Sequence, residues 1–206
     1  MAQRVTGWRA IFSVPAAYRL AQRAIGAPRV REAVVASLDV VAGQRVLDIG
    51  CGTGDVLDHL PAVDYVGYDL SPEYIESARR KYGDLGTFRV GRVGSDDQIE
   101  NDVFDRALAK GVLHHLGDGD AAALFAEAAM ALAPGGRLVT VDPCFVPAQS
   151  RLARFIISRD RGEAVRVPEA YGELARRSFD QVEVVVFDDL LRVPYTHAMV
   201  IATAPD

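Results

Sequence analysis

The chain has 206 residues, half of them hydrophobic and a quarter charged, with a net charge of −5 and a pI of about 5.4. That length suits one well-buried domain and is short for two. The acidic balance counts against a nucleic-acid partner, which needs a basic face, and no apolar run reaches membrane-spanning length.

Residues 1–42 read as a helical cap: Pro15–Ile25, a break at Gly26-Ala27, then Pro28–Leu38, with Gly43 just past the end. Arg4, Arg9, Arg19, Arg23, Arg29 and Arg31 all precede the first acid, Glu32. Such a start also suits a transit peptide. A basic lid helix is preferred, because the stretch runs into the body without a cleavage-like break. Strand and helix patterns then alternate. Strands are expected at Arg45–Ile49, Tyr65–Asp69, Thr87–Val90, Phe104–Ala109 and Arg137–Val141, with helices at Asp55–Leu60, Pro72–Tyr82 and Asp120–Leu132. Ser71 caps the second of these, and Pro134-Gly135-Gly136 stops the third and turns the chain.

Residues 143–180 break the alternation with an amphipathic stretch, Ser150–Ser158, a charged turn, Asp160-Arg161-Gly162, and a helix over Glu169–Ser178. Two β-rich runs follow, Val182–Phe187 and His197–Thr203. Their link is too short for a parallel crossover, so they should pair antiparallel. The expected fold is α/β: a seven-stranded, mostly parallel, doubly wound sheet with an antiparallel last strand, helices on both faces and an N-terminal helical cap. It forms one domain with a core at 44–142, an insertion at 143–180 and a C-terminal hairpin at 181–206. Cys51 and Cys144, with no secretory apolar segment, suit a reducing, cytoplasmic setting.

The run Val46-Leu47-Asp48-Ile49-Gly50-Cys51-Gly52-Thr53-Gly54 carries the most information. A buried strand enters a loop whose glycines permit positive φ and close approach of a ligand. Asp69, twenty-one residues beyond Asp48, ends the next strand where an acid can take ribose hydroxyls. A nicotinamide cofactor and S-adenosylmethionine both remain open at this point. The spacing G-x-G-x-G and the lack of a second mononucleotide-binding unit separate them.

On these residues the chain resembles the class I S-adenosylmethionine-dependent methyltransferases, in particular bacterial ones acting on small molecules. VLDIGCGTG matches their first motif, YVGYDLSPEYI their second, and FDRALAKGVLHHL followed by LAPGGRLVTVDP the fourth and fifth strands. The resemblance implies S-adenosylmethionine as cofactor and S-adenosylhomocysteine as product. Gly50 and Gly52 would face the methionine part and Asp48 its ammonium. Asp69 would bind the ribose, Leu70 would pack on the adenine, and Val93 N–H would serve the ring. Lys110-Gly111 would reach the amino group through main-chain carbonyls. One departure is Arg92, which stands where the family often carries an adenine-binding acid; Asp96 or Asp97 are possible substitutes.

Methyl transfer needs a base only where the acceptor must lose a proton. The candidates are His115 and His114, after the fourth strand, and His197, at the start of the last; a packing or capping role is the plainer alternative for each. His59 reads as structural. A metal site from His114, His115 and Asp142 is weighed and rejected, since Lys110 stands where metal-dependent relatives place acids. Arg151, Arg154, Arg159, Arg161, Arg166, Arg176 and Arg177 crowd the insertion. They suit a small anionic acceptor or a solvated helix face. The reading is a small-molecule methyltransferase, monomeric or homodimeric, without nucleic-acid or membrane partners. The rivals are a non-catalytic S-adenosylmethionine-binding module and an enzyme acting on a macromolecule.

Overall fold

A computed structural model describes residues 27–93, 103–159, 162 and 164–205. The expected helix Pro15–Ile25, the acids Asp96 and Asp97, and the turn residues Asp160 and Arg161 lie outside the described residues. The strands are β1 (Arg45–Ile49), β2 (Asp64–Asp69), β3 (Gly86–Val90), β4 (Phe104–Lys110), β5 (Leu132–Pro143), β6 (Gln181–Phe187) and β7 (His197–Thr203). The helices are α1 (Ala27–Leu38), α2 (Pro72–Tyr82), α3 (Asp118–Ala131), α4 (Arg151–Ser158) and α5 (Pro168–Ala175).

The seven strands form one sheet in the order β3-β2-β1-β4-β5-β7-β6. β1 to β5 are parallel, and β7 runs antiparallel to both β5 and β6. The expected doubly wound sheet with an antiparallel last strand is therefore present, and that strand lies inside the sheet rather than at its edge.

Alternation along each strand divides the core in two. One face holds Leu47, Ile49, Val66, Tyr68, Ala107, Ala109, Leu138, Ala198 and Val200, covered by α3 and α5. The other holds Val46, Tyr65, Leu108, Val139, Val141 and Met199, covered by α1 and α2. α1 reaches that face through Val30, Val34 and Leu38, spaced one turn apart and all buried; it ends where Asp39 adopts φ 51°. In α2 the Ser71 hydroxyl accepts from Tyr74 N at 3.2 Å, Pro72 fills the first turn, and Arg79, Arg80 and Lys81 occupy the last.

Three expectations need correction. Asp55–Leu60 is no α-helix but a 3-10 turn over Asp55–His59, because Pro61 holds Leu60 extended and leaves too few residues for an α-helical ladder. Pro134-Gly135-Gly136 does not end at a turn before the fifth strand; it lies inside β5, at an exposed irregularity where the register with β4 shifts. The insertion helix spans Pro168–Ala175, opening with Pro168 in its first turn. Among the described residues no helix is long and apolar enough to cross a membrane.

Gly67, inside β2, lets the glycine loop lie flat on the sheet. A Cβ there would stand 2.8 Å from Cys51 Sγ and 2.9 Å from Cys51 Cβ. Gly67→Ala is therefore expected to cost about 1–3 kcal/mol through overpacking, read as a lower urea midpoint. Truncating the partner by Cys51→Ala should not restore it, since the Cβ that clashes is retained.

Candidate active site

At the carboxyl end of β1 the chain turns through Gly50 (φ 76°), Gly52 (φ 56°) and Gly54 (φ 73°). The three glycines are not equivalent. A Cβ on Gly50 would meet Val112 Cγ2 at 2.5 Å, and one on Gly54 would meet the Phe88 ring at 2.9 Å. A Cβ on Gly52 would meet nothing within 4 Å. Gly50 N and Cys51 N both donate to Tyr68 O, at 2.8 and 2.9 Å, which pins the loop against β2. Among the described residues, nothing lies within 4 Å of where a Gly52 side chain would begin, so this side of the loop is open. Gly111, at the end of β4, also has positive φ (69°), and its nearest neighbour to an added Cβ is His114 Cε1 at 3.7 Å.

Asp69, at the end of β2, borders this space. Its carboxylate accepts from Gly52 N and Ser71 N, each at 2.8 Å. Burial raises its pKa, and these backbone donors pull the other way. Leu70 beside it is 66 % exposed, an apolar side chain held at the rim. Val93 is buried in the apolar core. Arg92 lies exposed and forms an ion pair with Asp120 at 3.5 Å.

Asp48 is buried, with the Tyr65 hydroxyl donating to it at 2.6 Å. Burial pushes its carboxyl up to about 6, against the opposing pull of Tyr65 and of Lys110. Lys110, in turn, is held below the usual ammonium range, first by burial and then by the like charge of Arg31. Asp48 and Lys110 share the α1-facing side of the sheet, Asp48 in register with Leu108 and Lys110 two residues further along β4.

The histidines divide sharply. His114 is buried, and its ring Nδ1 lies 2.8 Å from Asp142 Oδ1, which also accepts from His114 N at 3.1 Å. Asp142 is 1 % exposed, at the carboxyl end of β5 next to β4. His115 is exposed, its ring against that of His114 with centroids 3.9 Å apart. His197 pairs with Pro143 across β5–β7, so its side chain takes the opposite sheet face from Asp142. Of the three candidates, His114 is the one seated against Asp142.

The insertion closes over this pair. A Cβ on Gly162 would collide with His114 Cδ2 and approach His114 O to 2.7 Å, and Ala164 N donates to His114 O at 3.0 Å. Arg166, grouped by sequence with the anion-binding arginines, instead serves the fold. Its guanidinium donates to the carbonyls of Leu113 (2.9 Å), Leu116 (2.7 Å) and Ala164 (3.0 Å) and to Asp118 (2.7 Å). Sequence reasoning weighed Asp142 as a metal ligand and did not pair it with His114 as a positioning carboxylate. The available signal was that Asp142 and His114 follow adjacent parallel strands at one edge. Among the described residues no three His, Cys, Asp or Glu side chains converge as a metal site.

Residues 47–138 match a family model described as a methyltransferase domain. With the strand order, the antiparallel β7 and the glycine loop, this match makes the chain similar to the class I S-adenosylmethionine-dependent methyltransferases. Among proteins of similar sequence, an uncharacterised 37.1 kDa protein in a Streptomyces fradiae transposon is 37 % identical over 52 % of this chain and 32 % of its own length. Phosphoethanolamine N-methyltransferase 3 of Arabidopsis thaliana is 31 % identical over 70 % of this chain and 30 % of its own length. This chain thus spans about a third of those two proteins. Among solved structures, phosphoethanolamine N-methyltransferase 2 of Haemonchus contortus superposes with a TM-score of 0.75 at 16 % identity, covering 98 % of this chain and 61 % of that one.

Asp48 yields a stability prediction. The folded carboxyl keeps its proton up to about 6, whereas an unperturbed one loses it near 3.8. Folding therefore takes up a proton between those values, and stability falls as pH rises through that window. Asp48→Asn removes the cost of ionising a buried acid. It is expected to raise stability on the order of 1–3 kcal/mol at pH 7.5 and to give almost no gain at pH 4, measured by urea melts at both values.

Proposed function

We propose that the chain is an S-adenosylmethionine-dependent methyltransferase acting on a small anionic molecule, with His114 as the proton acceptor and Asp142 positioning it. The observation that carries the reading is the buried His114–Asp142 pair at the same sheet edge as the open glycine loop. The residues present fit the cofactor: Gly52 and Gly111 leave a cradle that side chains would fill, Asp69 stands at its ribose side, and Asp48 offers a carboxylate to an ammonium. When bound, the cofactor supplies a methyl group on a sulfonium, already activated for in-line displacement.

What remains for the protein is alignment and proton removal. The Asp142 carboxylate is acceptor-only, so Nδ1 of His114 carries the proton and Nε2 keeps its lone pair. Gly111 lies near Cε1 of the ring and Gly162 packs on Cδ2, and neither brings a side chain of its own to Nε2. The acceptor's anionic group is assigned to Arg151 and Arg154. Both line a concavity of about 490 Å³ on α4 with Phe145, Phe155 and Ser158. Phe145 follows Asp142 by three residues, so their Cα atoms lie within about 11 Å. The phosphoethanolamine N-methyltransferases among the relatives support an anionic acceptor of this size.

Calorimetry with S-adenosylhomocysteine tests the cofactor, with NADH as control. Asp69→Ala is expected to weaken binding roughly tenfold or more by removing charged hydrogen bonds. Protonating Asp48 should weaken it too, so affinity is expected to fall as pH drops below about 6, and this dependence should vanish in Asp48→Asn.

Turnover, followed as S-adenosylhomocysteine formed over a panel beginning with phosphoethanolamine, tests the chemistry. His114→Ala should lower kcat by roughly 10²–10⁴-fold with cofactor affinity kept, while His115→Ala should leave kcat within a few-fold. Equal kcat in His114→Ala and the parent would remove His114 from the mechanism.

A further inference from the structure

α4 divides into two faces. Ala153 and Ile157, one turn apart, are its buried side chains. Arg151, Arg154, Phe155 and Ser158 take the other face and, with Phe145, line the concavity of about 490 Å³. Both walls are held in place. Ser150 Oγ accepts from Ala153 N at 3.1 Å, and Gln149 Nε2 donates to Thr196 Oγ1 at 2.8 Å, which ties the start of α4 to the strand edge. Opposite, Phe145 N donates to Arg166 O at 3.1 Å.

The lining offers more than a small hydrated anion can use. Phe155 is 56 % exposed, and the guanidinium groups of Arg154 and Arg159 sit over the Phe145 and Phe155 rings, each 5.0 Å from the centroid. The space lies in the range that takes a drug-sized ligand, several times what a lone phosphoryl or carboxylate group fills. The charges are also unspent. α4 carries no acid, and among the described residues Arg151 and Arg154 have no carboxylate partner, unlike Arg166.

We infer that the acceptor is an amphiphile: an anionic group that Arg151 and Arg154 hold, carrying an apolar body that packs on Phe145 and Phe155. The inference rests on the methyltransferase reading above and narrows its acceptor class. Guanidinium groups recognise the charge. Burial against the two rings then selects for the apolar body, each fully buried methylene being worth roughly fourfold in affinity.

Calorimetry on the full chain, with S-adenosylhomocysteine present, compares inorganic phosphate, hexyl phosphate below micelle formation, and hexanol. Hexyl phosphate should bind roughly 10–100-fold tighter than inorganic phosphate, and hexanol roughly tenfold or more weaker than hexyl phosphate. Phe155→Ser should bring the two phosphates to within about threefold of each other by weakening hexyl phosphate alone. Arg151→Gln should weaken both phosphates by a similar factor and keep their ratio. Leu152→Ser, on the same helix outside the concavity, should change neither. Equal affinities of the two phosphates in the parent would overturn the inference while leaving the methyltransferase reading in place. A Leu152→Ser loss as large as that of Phe155→Ser would mean adsorption along the helix, and would overturn it too. Failure to bind S-adenosylhomocysteine, seen before any acceptor probe is added, would reject the cofactor reading on which the inference rests.

Discussion

The Tyr65 hydroxyl donates to Asp48 at 2.6 Å where water barely reaches, and much of the surrounding structure follows from keeping a carboxylate in that place. A charge there is unfavourable on its own. It is tolerated because Tyr65 supplies a donor from the neighbouring strand and Lys110 supplies an opposite charge from the other side. β1 carries Asp48 at the centre of the sheet, paired with both β2 and β4. Any shift in either register would separate the acid from its partners and turn it toward the other face. The site's electrostatics and the order of the central strands are thus one constraint.

The two faces of the sheet divide the work at its carboxyl edge. Asp48, Lys110 and Arg31 lie toward α1 and α2, with Arg31 paired to Asp55. Asp142 and His114 lie toward α3 and α5, beneath the insertion that Arg166 fastens to the His114 turn. The glycines at 50 and 111 bring these regions together. Gly50 admits Val112 to within van der Waals overlap of where its own side chain would be, so the loops after β1 and β4 meet across the edge. Arg166 shows how little a count of charges says about role: its donors are taken by the carbonyls of Leu113 and Leu116 and by Asp118.

The strands were legible because parallel strands buried on both faces read as short apolar runs bounded by turn residues. The glycine loop and Asp69 were legible because their spacing is local. Two local signals misled. Pro-Gly-Gly reads as a stop in a helix pattern, yet in β5 it is accommodated at an irregularity on the exposed side. Asp55 to Leu60 has helical composition, but Pro61 sets its end before an α-helical ladder can form. The His114–Asp142 contact joins residues separated by a helix and a strand, and neighbouring His115 has the same composition signal. Only the packed edge tells the two histidines apart. Arg31 was one arginine among many in a basic segment, and its burial is a property of the face α1 presents.

The position of β7 bears on how such a sheet is assembled. β6 has β7 as its sheet neighbour, and β7 joins it to β5. Until β7 docks, β5 presents an open hydrogen-bonding edge and β6 has no place in the sheet. That edge belongs to an apolar strand carrying Leu138, Val139 and Val141, the kind of surface that invites pairing with another chain. Docking of β7 on β5 is a pairing at long sequence separation, and the interval before it is one in which aggregation competes. Mutations weakening the β5–β7 ladder would then act first on yield and solubility, even where the finished site at the other end of the sheet is unaltered.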